Sequence, residues 1–120
     1  MPADPSAPTL QDPEDAKLVT LARTTRARTR AADGACVRDL DGRTYAGATV
    51  DLPTLRLSAV QVAVAMAVTS GARGLEAVVV LGDGAAVGKT DLSVVRDLAG
   101  PGVPVHLAAP DGTVVASVES

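Results

Sequence analysis

Leu55 to Gly71 reads LRLSAVQVAVAMAVTSG, and no other stretch of the chain restricts the fold so severely. Between Leu57 and Val68 only Ser58 and Gln61 are polar, and they sit close together on one side of a helix. A helix that is apolar almost all round must be buried in protein or in lipid. Its run of about a dozen residues falls short of the roughly 20 that a bilayer crossing needs. With strand-like segments on both sides, the sequence predicts a buried core helix and no membrane association. Thr54 is the expected N-cap and Gly71 the expected C′ residue.

What can surround such a helix is limited by composition. The chain has no Phe, no Trp and a single Tyr, so Val, Leu and Ala must fill the core, and they bury less area per residue than aromatics do. Self-association would usefully increase that burial. A length of 120 residues makes one domain. The net charge of -3 gives no general attraction to nucleic acid or anionic lipid. One cysteine, Cys36, excludes an internal disulfide and a multi-cysteine metal site, and fits a reducing cytoplasm. The opening MPADPSAPTLQDP has neither a basic n-region nor an apolar h-region. Residues 1–11 read as a disordered leader and residues 12–120 as the single domain.

Order should begin at Asp12-Pro13-Glu14-Asp15, which combines an N-cap Asp, Pro at N1 and acids in the first turn. That helix is expected to run to about Ala32, with Leu18, Leu21, Ala22 and Thr25 inward and Gly34 as the stop. Its last turns carry Arg23, Arg26, Arg28 and Arg30. These read either as a phosphate or RNA patch or as a solvated face complementing the helix C-terminus; the lack of nearby aromatics for base stacking favours the solvated face. A hairpin follows, ACVRDL and RTYAGATV joined at Asp41-Gly42. Beyond the central helix, Leu75 to Leu81 is a continuous apolar run, the mark of a strand covered on both faces. Then come a glycine-rich loop from Gly82 to Gly88, a short helix from about Asp91 to Leu98, and strands at Val103 to Ala108 and Thr113 to Val118 around a Pro110-Asp111-Gly112 turn. Five strands and three helices in this order predict a three-layer α/β/α sandwich on a five-stranded mixed sheet.

The element order, GAC at Gly34 to Cys36, the Asp-Gly hairpin, GATVD at Gly47 to Asp51, the buried helix and VVRDLAG at Val94 to Gly100 together resemble the cytidine deaminase family. The resemblance spans roughly residues 14 to 118. In that family the buried helix opens with Cys-Ala-Glu or His-Ala-Glu, whose first residue binds zinc and whose Glu shuttles protons. A Pro-Cys-x-x-Cys motif at the next helix adds two ligands, and metal-bound water attacks the base. In this register the first ligand position is Ser58, the Glu position is Val60, and the two cysteine positions hold Gly88 and Asp91. The substrate-binding Asn and Glu positions fall on Thr49 and Asp51, and the aromatic-bearing loop on Thr29 to Ala32. A serine hydroxyl is a very poor zinc ligand and valine cannot move a proton. The resemblance therefore implies a homologue without catalysis and without a metal or other cofactor.

A competing signal is LGDGAAVGKTD at Leu81 to Asp91, which ends in Gly88-Lys89-Thr90 like a Walker A motif. The position that should hold its first glycine is Asp83, and too little chain follows for the rest of a nucleotide-hydrolysing domain. What survives is a generic anion site from helix N–H groups with Lys89 and Thr90. His106, between Val105 and Leu107, should point to the outer face of its strand. Cys36 reads as a small core residue beside Ala35, and Met66 as part of the apolar helix.

Two functional readings follow. One is a zinc-free interaction or assembly module, a homo-oligomer (tetramer or dimer) built on the Leu57 to Val68 helix through faces such as Val62 and Met66. The other is a binder of a small nucleoside-like or anionic ligand through Thr49, Asp51, Lys89 and Thr90. An unidentified protein is the remaining kind of partner, and nucleic acid is not expected.

Overall fold

The computed structural model describes Leu10 and residues 12–120. The expected leader, residues 1–11, lies outside the described residues except for Leu10, which packs against the core under the first helix. That helix, α1, spans Pro13–Thr29 with Asp12 as N-cap, whose Oδ1 accepts the Glu14 N–H at 2.8 Å. It stops short of Ala32 because Arg30 turns left-handed, φ 55, and the Arg26 guanidinium donates to the Ala32 carbonyl at 2.9 Å. The buried stripe is Leu18, Val19, Ala22 and Thr25. Leu21, expected inside, faces outward, and Val19 takes its place.

Strands β1 (Gly34–Asp39) and β2 (Thr44–Ala48) form the anticipated hairpin, with Gly42 at φ 84 in its turn. An unforeseen ribbon of β3 (Val50–Asp51) and β4 (Arg56–Leu57) precedes the central helix. It occupies Thr54 in its loop, so Thr54 is not the N-cap. Helix α2 runs from Ala59 to Thr69 and is capped by Ser58 in a reciprocal box. The Gln61 N–H donates to Ser58 Oγ at 3.1 Å, and the Ser58 N–H donates to Gln61 Oε1 at 2.8 Å. Gly71, φ 91, follows the C-cap as expected. Then come β5 (Leu75–Leu81), α3 (Lys89–Ala99), β6 (Pro104–Ala108) and β7 (Val114–Glu119).

The main sheet has the order β2-β1-β5-β6-β7. Only β5 and β6 are parallel, joined through α3; the other pairs are antiparallel. Helix α1 covers one face, and α2 and α3 cover the other, giving the mixed three-layer sandwich anticipated from the sequence. The alternation of strand side chains sends Val78 and Val80 to the α2 side and Val79 and Leu81 to the α1 side.

Close approach on both faces is bought with glycine. A Cβ on Gly47 would lie 2.8 Å from the Ala63 nitrogen of α2, and one on Gly34 would overlap the Ala22 carbonyl of α1. Helix α2 itself is less enclosed than its composition suggests. Ala59, Val60, Ala63 and Ala67 are buried, while Met66 and Val68 are 41% and 52% exposed. Among the described residues, no helix is long and apolar enough to cross a membrane.

Candidate functional site

Beyond the end of β5, the central strand, the N-termini of α2 and α3 meet. Ser58 lies just before α2, and Asp91 lies in the first turn of α3, where the helix dipole favours a carboxylate. Their side chains join directly: Ser58 Oγ donates to Asp91 Oδ1 at 2.6 Å while accepting the Gln61 N–H. The structure therefore brings together two positions that the sequence register paired across distant segments. Val60 is fully buried in the core beneath α2. Gly88 is the N-cap of α3 and makes no side-chain cap hydrogen bond.

The other expected contacts spread out. Thr49 Oγ1 accepts the Asp33 N–H at 3.0 Å, tying the end of β2 to the start of β1. Asp51 lies on the ribbon, 80% exposed, with Arg56 Nε 3.4 Å from its carboxylate. Among the described residues it shares no hydrogen bond with Ser58 or Asp91. Lys89 and Thr90 are exposed at the start of α3. Asp83 in the glycine-rich loop faces Arg26 at 3.7 Å.

Sequence reasoning missed Asp33. Its carboxyl titrates above the usual range because it is partly buried; Arg26 opposes the shift, and the nearby Asp91 and Asp83 add to it. Its side chain fills the space that a Cβ on Gly82 would take, which explains the glycine there. The one available signal was the adjacency of Asp33 and Gly34 at a helix-to-strand corner, a pattern that reads equally well as a plain turn.

His106 also lies elsewhere than expected. It is buried on the α1 face, with Nδ1 2.7 Å from Ser117 Oγ and Nε2 3.2 Å from Asp15 Oδ2. Arg38 donates from Nη1 to Asp15 Oδ1 and from Nε to Glu76 Oε2, each at 2.8 Å. This network fastens the first turn of α1 to β1, β5, β6 and β7. Alternation along one strand assigned the correct side of β6 but could not show that α1 covers it. Cys36 is buried under α1, as expected of a core residue, and burial pushes its thiol up to about 12.

The α2–α3 junction presents one hydroxyl and one carboxylate, bonded to each other, whereas zinc favours thiolate and imidazole donors. Among the described residues, no group of three or more His, Cys, Asp or Glu side chains is placed to hold a metal ion.

A mixed five-stranded sheet with one helix on one face, two on the other and paired helix N-termini at the junction defines a deaminase-like α/β/α class. A family model described as "Cytidine deaminase-like" matches residues 11–112, and the chain belongs to that family. Solved structures agree on the fold. A cytidine deaminase from Burkholderia pseudomallei aligns with TM-score 0.75 and 23% identity over 85% of this chain and 89% of its own. One from Mycobacterium leprae gives 0.66 and 21% over 82% and 88%. One from Mycobacterium tuberculosis gives 0.65 and 22% over 74% and 80%. No curated protein sequence matches the chain.

Proposed function

We propose that this protein is a non-catalytic, zinc-free member of its family that acts as an assembly or interaction module. One observation carries the reading: the Ser58–Asp91 hydrogen bond, at 2.6 Å, closes the junction where the family's chemistry calls for a metal. Val60, at the position of the proton-shuttling Glu, is buried and has no proton to exchange. The exposed side of α2, with Ala65, Met66 and Val68, supports association between copies, as a tetramer or a dimer in the cytoplasm. The alternative, a nucleoside-like or anionic ligand, draws on the exposed Lys89 and Thr90. It loses support from Thr49 and Asp51, which are engaged with Asp33 and Arg56.

The test uses the purified chain. Elemental analysis should find zinc far below one per chain, cytidine should release no ammonia, and light scattering should give a mass above that of the monomer. One zinc per chain with measurable deamination would overturn the non-catalytic reading. A monomer at micromolar concentration would overturn assembly between copies.

A further inference from the structure

The four arginines at the end of α1 do not act alike. Arg26 is spent on the Ala32 carbonyl and Asp83, and Arg30 forms the left-handed C-cap. Arg23 and Arg28 instead line one groove between α1 and the turn joining β6 to β7, with a volume of about 830 Å³. Neither lies within ion-pair distance of a carboxylate among the described residues, although, beside the Thr113 hydrogen bonds, the charge of Arg23 helps hold the Asp111 carboxyl below its usual range. Thr20 and Thr24 add hydroxyls along the same wall, and Asp111 and Gly112 form the opposite one.

The turn that forms the second wall is shaped by glycine. Gly112 adopts φ 92, and a Cβ built on it would lie 3.5 Å from Val19 Cγ1 and 4.0 Å from Arg23 Nη1. The left-handed backbone at this position favours glycine. Asp111 accepts the Thr113 N–H at 2.9 Å, and Thr113 holds its carboxyl below the usual range. It therefore remains an ionised acceptor across from the guanidinium groups.

We propose that this groove binds a sugar-sized phosphomonoester, with Arg23 and Arg28 on the phosphate and Asp111 on the sugar hydroxyls. Arg presents a planar fork of N–H donors that matches phosphate oxygens, and two of them balance a dianion. The opposing carboxylate disfavours a bare anion filling the groove and rewards a ligand carrying hydroxyl donors. Among the described residues, no aromatic side chain lines the groove, which leaves its recognition to the guanidinium and carboxylate groups. The site is independent of the Ser58–Asp91 junction.

The experiment is an amide NMR titration with ribose 5-phosphate, inorganic phosphate and ribose. Ribose 5-phosphate should produce saturable shifts confined to Thr20, Arg23, Thr24, Arg28 and Gly112, and ribose none. The double substitution Arg23→Gln and Arg28→Gln should weaken the binding at least roughly tenfold. The single Arg28→Gln variant repeats the test if the double variant unfolds. No saturable shift, or unchanged binding in both variants, overturns the proposal. Inorganic phosphate binding as tightly as the sugar phosphate overturns the role given to Asp111.

Discussion

Toward α2 and α3 the sheet presents Ala35, Val37, Val78, Val80, Val105 and Leu107, and the helices answer with Ala59, Val60, Ala63 and Val95. Toward α1 it presents Cys36, Val79 and Leu81, but also Arg38 and His106, which reach Asp15. The first face is held by shape: small side chains, and a glycine at β2 that lets the α2 backbone descend onto the strand. The second combines a narrow apolar stripe with charge-assisted hydrogen bonds at one end of the helix. A face held by shape suffers most from an inserted charge, which finds no partner there. A polar clamp suffers most from losing a partner, because that strands the others.

The largest effect should come from putting a charge on the shape-held face. In Val60→Asp an unpaired carboxylate would sit where exposure is 0%, a cost of several kcal/mol against a total stability of similar size. The variant should unfold or precipitate, as read by circular dichroism and solubility. A soluble variant with an unchanged melting temperature would break the comparison at its dry end.

The clamp should fail more locally. Asp15→Ala leaves Arg38 without its 2.8 Å acceptor and His106 without its 3.2 Å partner, at side-chain exposures of about 10%. A loss of about 2–4 kcal/mol follows, partly offset by Glu76, which still holds Arg38. Native-state hydrogen exchange should then show α1 amides losing protection before those of α2. If both helices lose protection together, the two faces are one cooperative unit and the contrast is only chemical.

The layers and their order were legible because they rest on periodicity and punctuation. The continuous apolar run Leu75–Leu81, the Asp-Gly turn and the prolines and glycines around α3 are local signals, and each became the expected element. The β3–β4 ribbon was not legible, since two-residue strands have no period. The N-cap was misplaced for a related reason: Thr54 and Ser58 are both good caps, and only Ser58 has a Gln three residues on to complete the box. At the junction, the family register assigned Ser58 and Asp91 to two ligand positions, and the two are hydrogen-bonded, whereas Asp51, read as part of the same site, pairs with Arg56. Asp33 and Asp15 escaped because their roles depend on groups distant in sequence, Asp91 for one and Arg38 and His106 for the other. A single chain read in order carries no sign of such meetings.

The smallest expected effect lies at Asp33, at the corner between α1 and β1. Burial, with Asp91 and Asp83 nearby, makes the native state hold this proton more tightly than the unfolded chain does, although Arg26 opposes the shift. Stability contributed by the protonated form is therefore present in acid and is lost as pH rises from the ordinary carboxyl range through the raised native value. Asp33→Asn removes the penalty without removing the shape that fills the space beside Gly82. Melting curves of the two proteins should nearly coincide at the acid end and separate above it, with the Asn variant the more stable near neutral pH by a small margin. The Asp33 N–H bond to Thr49 is a backbone contact and should survive the change, which can be read from the amide shifts of β1 and β2. If the wild type is the more stable at neutral pH, Arg26 outweighs the burial and the two acids, and this corner belongs with the charge-clamped face.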